Sequence, residues 1–344
     1  MSDNECILLT KRLPNDRNAS LKAPEDIEKI FSRSFGKTYR LYNSEKKLIK
    51  NVQCLITFLR LRCRSLLLKK SEILVVQTPL YPRKPFDELL PFRIGYKKKI
   101  AIIHDLDSLR FFPEDMEVKS KEIENLLGYD AIICHNDIMK RWLNANGVSV
   151  PIIPLNIFDY LCKKEKLDIT KIMNEYTISF AGNLKKSIFL QNISSTISHS
   201  LFLYGNKPDY KLGENTYYEG SYPADELPLI LKGEFGLIWD GEDINTCSGL
   251  NGNYMRYNNP HKLSLYIASG IPVITWKEAA IADFIIKNDI GICVESLSEI
   301  DEKLDRLSLE RYNEILHNVY KVQEKVVNGC MIKNAIREAI EIIR

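Results

Sequence analysis

Four short segments of this 344-residue chain carry side chains whose types and spacing suit chemistry at the end of a β-strand. The first is His104-Asp105-Leu106-Asp107, directly behind the apolar run Lys99–Ile103. An imidazole and a carboxylate placed there can each take a proton from an attacking hydroxyl. The same residues fit plainer roles: Asp105 and Asp107 have DxD spacing for a metal, Asp107 suits a cap on the following turn, and His104 suits a satisfied core position. The second segment is Gly182-Asn183-Leu184-Lys185-Lys186, behind Thr177–Ala181. Glycine permits close approach of a ligand to the backbone, Asn183 offers donor and acceptor, and Lys186 offers phosphate a cation. An ordinary strand-to-helix turn with solvated lysines explains the same residues.

The third segment is Asn258-Asn259-Pro260-His261-Lys262. Proline suits the first turn of a helix, so His261 and Lys262 are expected at a helix N-terminus, where free N–H groups and the dipole attract anions. A lysine there is misplaced unless an anion accompanies it, which favours a diphosphate-binding role. The fourth is Trp276–Asp283. Ala279 and Ala280 are small enough to let the amides of a helix starting near Ala279 approach a phosphate. Asp283, one turn in, suits either ribose hydroxyls or the helix dipole. The polar, glycine-rich stretch Asp240–Asn253, followed by Tyr254 and Tyr257, is expected to form a loop over the ligand.

The elements that must position these segments alternate between short apolar runs and longer amphipathic stretches, the pattern of parallel sheets covered by helices. Strands are expected at Cys6–Leu9, Tyr39–Tyr42, Ser71–Thr78, Lys99–His104, Ala131–Cys134 and Val150–Ile153. A second set follows at Thr177–Ala181, Ser200–Tyr204, Phe235–Trp239, Ile271–Trp276 and Gly291–Val294. Helices are expected over Glu25–Phe35, Lys50–Lys69, Phe86–Tyr96, Glu122–Leu127, Asp137–Asn144, His261–Ser269 and Ala279–Lys287, and without a break from Leu309 to Arg344. The aperiodic stretch Pro154–Asn174 separates an N-terminal Rossmann-like domain, residues 1–160, from a C-terminal one, residues 170–325. A final helix, 326–344, is free to pack back on the first domain. Two such domains would face each other across a cleft lined by strand ends.

Composition narrows the class. Forty-eight basic against 45 acidic residues is too balanced for a nucleic-acid partner. The eight cysteines include no CxxC pair, which leaves a zinc site unsupported and points to a reducing compartment. No segment has the length and apolarity of a signal peptide or membrane span, so a cytoplasmic location, or the inner face of the plasma membrane, is expected. Basic residues cluster at Lys46–Lys50, Arg60–Arg64, Lys69–Lys70 and Lys97–Lys99. A solvated face is the default explanation, and peripheral contact with an anionic membrane the sharper one. Walker, GxSxG and GxGxxG patterns are missing, which excludes P-loop ATPases, serine hydrolases of that type and standard dehydrogenases, and disfavours an epimerase.

The runs FGLIWDGEDINTCSG, YNNPHKLSLYIASGIPVITWKEAAIADFI and NDIGICV, together with IIHDLDSLR, ICHN and FAGNLKKS, resemble bacterial β-1,6-galactofuranosyltransferases of O-antigen assembly. A more distant likeness is to streptococcal adhesin glucosyltransferases. The resemblance implies a GT-B fold with a UDP-sugar donor, no other cofactor, and a metal-independent, inverting reaction. It places Lys262 and Lys186 at the diphosphate, Asp283 at the ribose, Tyr204 and Tyr222 near the nucleotide, and Asp105 (or His104) as the base. The acceptor would be a glycan or lipid-linked oligosaccharide. Two rival readings stay open: glucosyl transfer to a GlcNAc acceptor, and a non-catalytic nucleotide-sugar-binding subunit. Homo-oligomerisation is left open as well.

Overall fold

The computed structural model of the chain describes residues 6–12, 21–42, 46–67, 73–80, 86–162 and 175–344. Lys69, Lys70 and the expected strand start at Ser71 lie outside the described residues. The chain divides into two compact units, residues 1–155 with 331–344, and residues 156–330.

The first unit holds a six-stranded sheet of β1 (Cys6–Arg12), β2 (Gly36–Tyr42), β3 (Ile73–Thr78), β4 (Lys98–Ile103), β5 (Ala131–Cys134) and β6 (Ile152–Pro154), in the order β2-β1-β3-β4-β5-β6. All its strand pairs are parallel. Its strands are continuous apolar runs, such as the fully buried Ile7-Leu8-Leu9 and Leu74-Val75-Val76, because helices cover both faces. Two of its helix N-termini are closed by the side chain of the N-cap residue: Asp115 accepts from the amides of Glu117 and Val118 at the start of Met116–Leu127, and Asn136 accepts from Met139 at the start of Asp137–Ala145. Such a cap contributes about 1 kcal/mol.

The second unit repeats the plan with β7 (Ile178–Ala181), β8 (Leu201–Tyr204), β9 (Thr216–Gly220), β10 (Phe235–Ile238), β11 (Val273–Trp276) and β12 (Gly291–Val294), ordered β12-β11-β10-β7-β8-β9 and again parallel. Numbered from β7, this is the Rossmann order. Strand β9 has no counterpart among the sequence expectations. It is an edge strand in which only Thr216 is buried, so it lacks the apolar run that marks its neighbours.

Several helices depart from expectation: the one expected over Glu122–Leu127 already starts at Met116, and the one expected over Phe86–Tyr96 ends at Arg93. The helix after β11 begins at Ala282, not near Ala279, because residues 277–281 form turns. The C-terminal helical stretch is broken into Leu309–Val327 and Cys330–Ile343. Gly329 at the break has φ +69°, a left-handed conformation that favours glycine and ends the first helix.

Candidate functional site

In an open α/β sheet the ligand crevice forms at the carboxyl ends of strands where the winding reverses. In the second unit that point lies between β7 and β10. Strand β7 runs out at Ala181 into Gly182, and β10 at Ile238 into Trp239. The helix His261–Ala268 delivers Lys262 to this place. Lys262 Nζ donates to the Trp239 carbonyl at 3.2 Å and stands 4.3 Å from the centroid of the Phe180 ring. Gly182 makes room for the lysine stem: a Cβ added there would meet Lys262 Cε at 3.0 Å. Gly205, at φ +145°, keeps the next loop close, since a Cβ on it would stand 2.0 Å from the Gly182 carbonyl oxygen.

Tyr266, one turn further along the same helix, was not singled out by sequence. Its buried hydroxyl accepts from the Ala181 amide at 2.9 Å and donates to the Leu237 carbonyl at 3.2 Å. It thus pins the helix across the ends of both strands that frame the reversal. Gly236 is the complementary feature, for a Cβ there would fall 2.2 Å from the Tyr266 ring. At the helix start, His261 stacks on Tyr160 with ring centroids 5.1 Å apart, and Asn259 Nδ2 donates to the Asn156 carbonyl at 2.9 Å. These contacts fix where Lys262 begins, and Tyr266 fixes its direction.

Burial lowers the pKa of the Lys262 ammonium, and Asp240 and Cys247 counteract that in part. Its hydrogen-bond partner is a neutral carbonyl, and an aromatic face lies against it. A desolvated cation in such a setting gains most from an anion brought beside it.

The other predicted residues of this unit fall into two groups. Asn183 is exposed; its Oδ1 accepts from the Lys186 amide at 3.3 Å, a local turn, while Lys186 itself is exposed. Tyr222 is 41% exposed and donates to the Glu219 carbonyl at 3.0 Å. Asp283 is exposed in the first turn of Ala282–Asn288. By contrast, Tyr204 is a buried structural tyrosine: its hydroxyl donates to the Ile230 carbonyl and accepts from the Lys232 amide. Ala279 and Ala280 correct the expectation that their amides face a phosphate. The Ala279 amide donates to the Trp276 carbonyl at 3.1 Å and the Ala280 amide to the Met255 carbonyl at 2.8 Å. The loop after Trp239 is held by the indole Nε1, which donates to the Asp243 carbonyl at 2.9 Å, and it folds into a short helix at Gly249–Tyr254.

In the first unit the winding reverses between β1 and β3. Buried Thr10 and Gln77 stand near those strand ends, and Gln77 Nε2 donates to Thr10 Oγ1 at 2.9 Å and to the Pro24 carbonyl at 3.1 Å. A carbonyl can only accept, so the amide orientation is set and Gln77 Oε1 faces His104. His104 Nε2 lies 2.6 Å from that oxygen. Nε2 therefore carries the hydrogen, and in the neutral ring Nδ1 is the basic nitrogen. Asp105 Oδ2 pairs with Arg110 Nη1 at 2.6 Å. Lys11, close to Asp105 and Asp107, is lowered to about 8 by burial, against the pull of those two carboxylates.

Asp107 does not cap the following turn. It is the first residue of Asp107–Arg110, one place beyond the N-cap position, which Leu106 occupies. Glu122 does the capping from a neighbouring helix, accepting from the Asp107 amide at 2.8 Å, the Ser108 amide at 3.2 Å and the Ser108 hydroxyl. Burial raises the Glu122 carboxyl above its ordinary range. Beneath this loop His135 is buried, and burial pushes its imidazole down to about 4 despite hydrogen bonding to the backbone at His104 and Ile103. Among the described residues, no three of His, Cys, Asp and Glu converge as a metal site would require. No helix among them is long and apolar enough to cross a membrane.

Comparison with known proteins places one boundary between residues 157 and 178 and carries the second match into the final helix. Residues 7–157 match the glucosyltransferase 3-like N-terminal domain and residues 178–339 the corresponding C-terminal domain. The chain is 33% identical over 300 residues to the β-1,6-galactofuranosyltransferase WbbI of Escherichia coli K12, covering 84% of this chain and 86% of that one. It is 26% identical to glucosyltransferase 3 of Streptococcus gordonii, over 78% of this chain and 79% of the relative. Among solved structures, the lipopolysaccharide outer core galactosyltransferase WaaB in its apo form aligns with a TM-score of 0.58 at 13% identity, over 97% of this chain and 99% of that one. Together with the two parallel sheets, that likeness assigns the GT-B fold class.

Proposed function

The chain belongs to the glucosyltransferase 3-like family of glycosyltransferases, and from that premise we propose that it transfers galactofuranose from a UDP-sugar to a glycan acceptor of a bacterial surface polysaccharide. The observation that carries the donor assignment is Lys262, a half-buried cation at the reversal of the second sheet whose direct contacts are the Trp239 carbonyl and the Phe180 ring, with the Asp240 carboxylate acting only as a nearby charge. Galactofuranose is favoured over glucose because the Escherichia coli relative named for it is more similar than the streptococcal one.

The reaction is a single displacement that inverts the anomeric centre. The acceptor oxygen bonds to the anomeric carbon as its proton passes to a base, and the bond from that carbon to the diphosphate oxygen breaks. Lys262 offsets the charge that builds on the departing diphosphate, with exposed Lys186 as a second cation; preorganised charge of this kind does the work a metal does in other transferases. Asp283 and Tyr222 are assigned to the nucleoside. Asp105 is the first candidate for the base. His104 is the second, favoured by the Gln77 contact that leaves Nδ1 as its basic nitrogen.

The test is a thermal-shift titration with UDP, GDP, UDP-galactofuranose, UDP-galactopyranose and UDP-glucose, with and without EDTA. A ligand that binds only the folded chain raises its Tm. The expected result is a rise with UDP that survives EDTA, largest for the galactofuranose donor. A ranking led by UDP-glucose would move the protein to the glucosyl reading, and no response to any uridine nucleotide would refute the donor site. A rise that needs a divalent cation would refute metal independence. Retained biological function of an Asp105→Asn, His104→Gln double variant would indicate a non-catalytic nucleotide-sugar-binding subunit.

A further inference from the structure

The helix Lys47–Leu67 buries only one side. Cys54, Thr57 and Leu61, spaced three and four residues apart, are its buried positions, and it packs along β2. The opposite side should be polar in a surface helix of a soluble domain. Here it carries Leu48, Val52, Leu55, Leu59 and Leu66, exposed by 77, 48, 54, 50 and 71%. Steps of three, four and seven residues keep these side chains on one line along the helix. A contiguous exposed apolar stripe of this kind marks an interaction surface.

Charge decides what covers it. Between Glu45 and Glu72 the sequence has eight lysines and arginines and no Asp or Glu. At 100° per residue, Arg60 and Arg62 border the leucine stripe on its two sides. Helices that pair with one another set opposite charges beside the apolar seam. A second copy of this helix would bring only further cations. An anionic lipid surface answers both features, since its acyl boundary takes the leucines and its phosphates take the flanking cations. We propose that Lys47–Leu67 is an in-plane docking helix for an anionic bilayer. The inference stands on this surface alone and does not depend on the donor assignment.

The test is flotation of the full chain with phosphatidylcholine vesicles made with and without phosphatidylglycerol. Binding is expected only with the anionic lipid and is expected to weaken with salt. Leu55→Glu/Leu59→Glu should abolish it. Arg60→Gln should weaken it about fivefold at low salt, at the usual contribution of one juxtamembrane cation. Both variants alter exposed side chains, and an unchanged Tm without ligand would show that the fold survives. Wild-type protein that ignores anionic vesicles would overturn the proposal, as would a double-glutamate variant that floats like wild type. A wild-type oligomer that Leu55→Glu/Leu59→Glu converts to monomer, with no vesicle binding by either, would assign the stripe to a second copy.

Discussion

At the reversal of the first sheet, acidic groups sit beside partners that answer them. Asp105 has Arg110, and Glu122 has two amides and a hydroxyl. A chain of neutral hydrogen bonds runs from Thr10 through Gln77 to His104. At the reversal of the second sheet, Lys262 has a carbonyl and an aromatic ring. Two sheets of closely similar winding therefore present opposite electrostatic problems. The first is balanced and suits a neutral hydroxyl whose proton must be moved. The second holds its cation against a carbonyl and an aromatic ring, with the Asp240 carboxylate only nearby, and suits an anion.

Substitutions can break or sharpen that contrast. The largest effect is expected for Lys262→Ala, which should lower kcat/KM by about 100-fold or more and erase the UDP thermal shift, since it removes the preorganised donor at the leaving group. Near wild-type turnover would end the assignment. Asp105→Asn and His104→Gln should leave the UDP shift intact while lowering kcat about 100-fold in whichever residue is the base. Loss of UDP binding in either would show that the two reversal points are not separate in function. Gly182→Ala should weaken UDP by about tenfold, because its Cβ would crowd Lys262 Cε, and should alter stability little; tenfold corresponds to about 1.4 kcal/mol. Calorimetric UDP affinity equal to wild type would show that the lysine stem can move aside.

The smallest effect is on stability and confined to acid. His135 has a folded pKa near 4 against an ordinary 6.5, so the unfolded chain takes up a proton that the folded chain refuses. Its contribution is fully present above pH 6.5 and declines as pH falls toward about 4, by about 3 kcal/mol in all. Urea unfolding followed across that window should show the slope, and His135→Gln should flatten it. An unchanged slope in the variant would place the acid sensitivity elsewhere.

The sequence was most informative where the physics is local. Apart from the edge strand β9, the strands of both sheets are marked by runs long enough to read, and Pro260-His261-Lys262 announces a helix start that carries a cation. The groups that orient the candidate site were not legible. Gln77 and Thr10 are 67 residues apart, and Ala181 and Tyr266 are 85 apart. Nothing in the period or composition around Gln77 or Tyr266 distinguishes them from other buried residues. The amides of Ala279 and Ala280 were misread because a junction of small residues looks open until the carbonyls of Trp276 and Met255 are found against it.

The break at Gly329 has a consequence for the order in which the molecule can be finished. Residues 331–344 belong to the first unit, and Ile332, Ile336, Ile340 and Ile343 of that last helix are buried. The unit that begins with Cys6–Arg12 is thus completed only after all of residues 156–330 have been synthesised. During translation the second unit can close as soon as it emerges, while the first must wait, with apolar surface uncovered, for the final helix. Loss of that helix would therefore injure the unit made first.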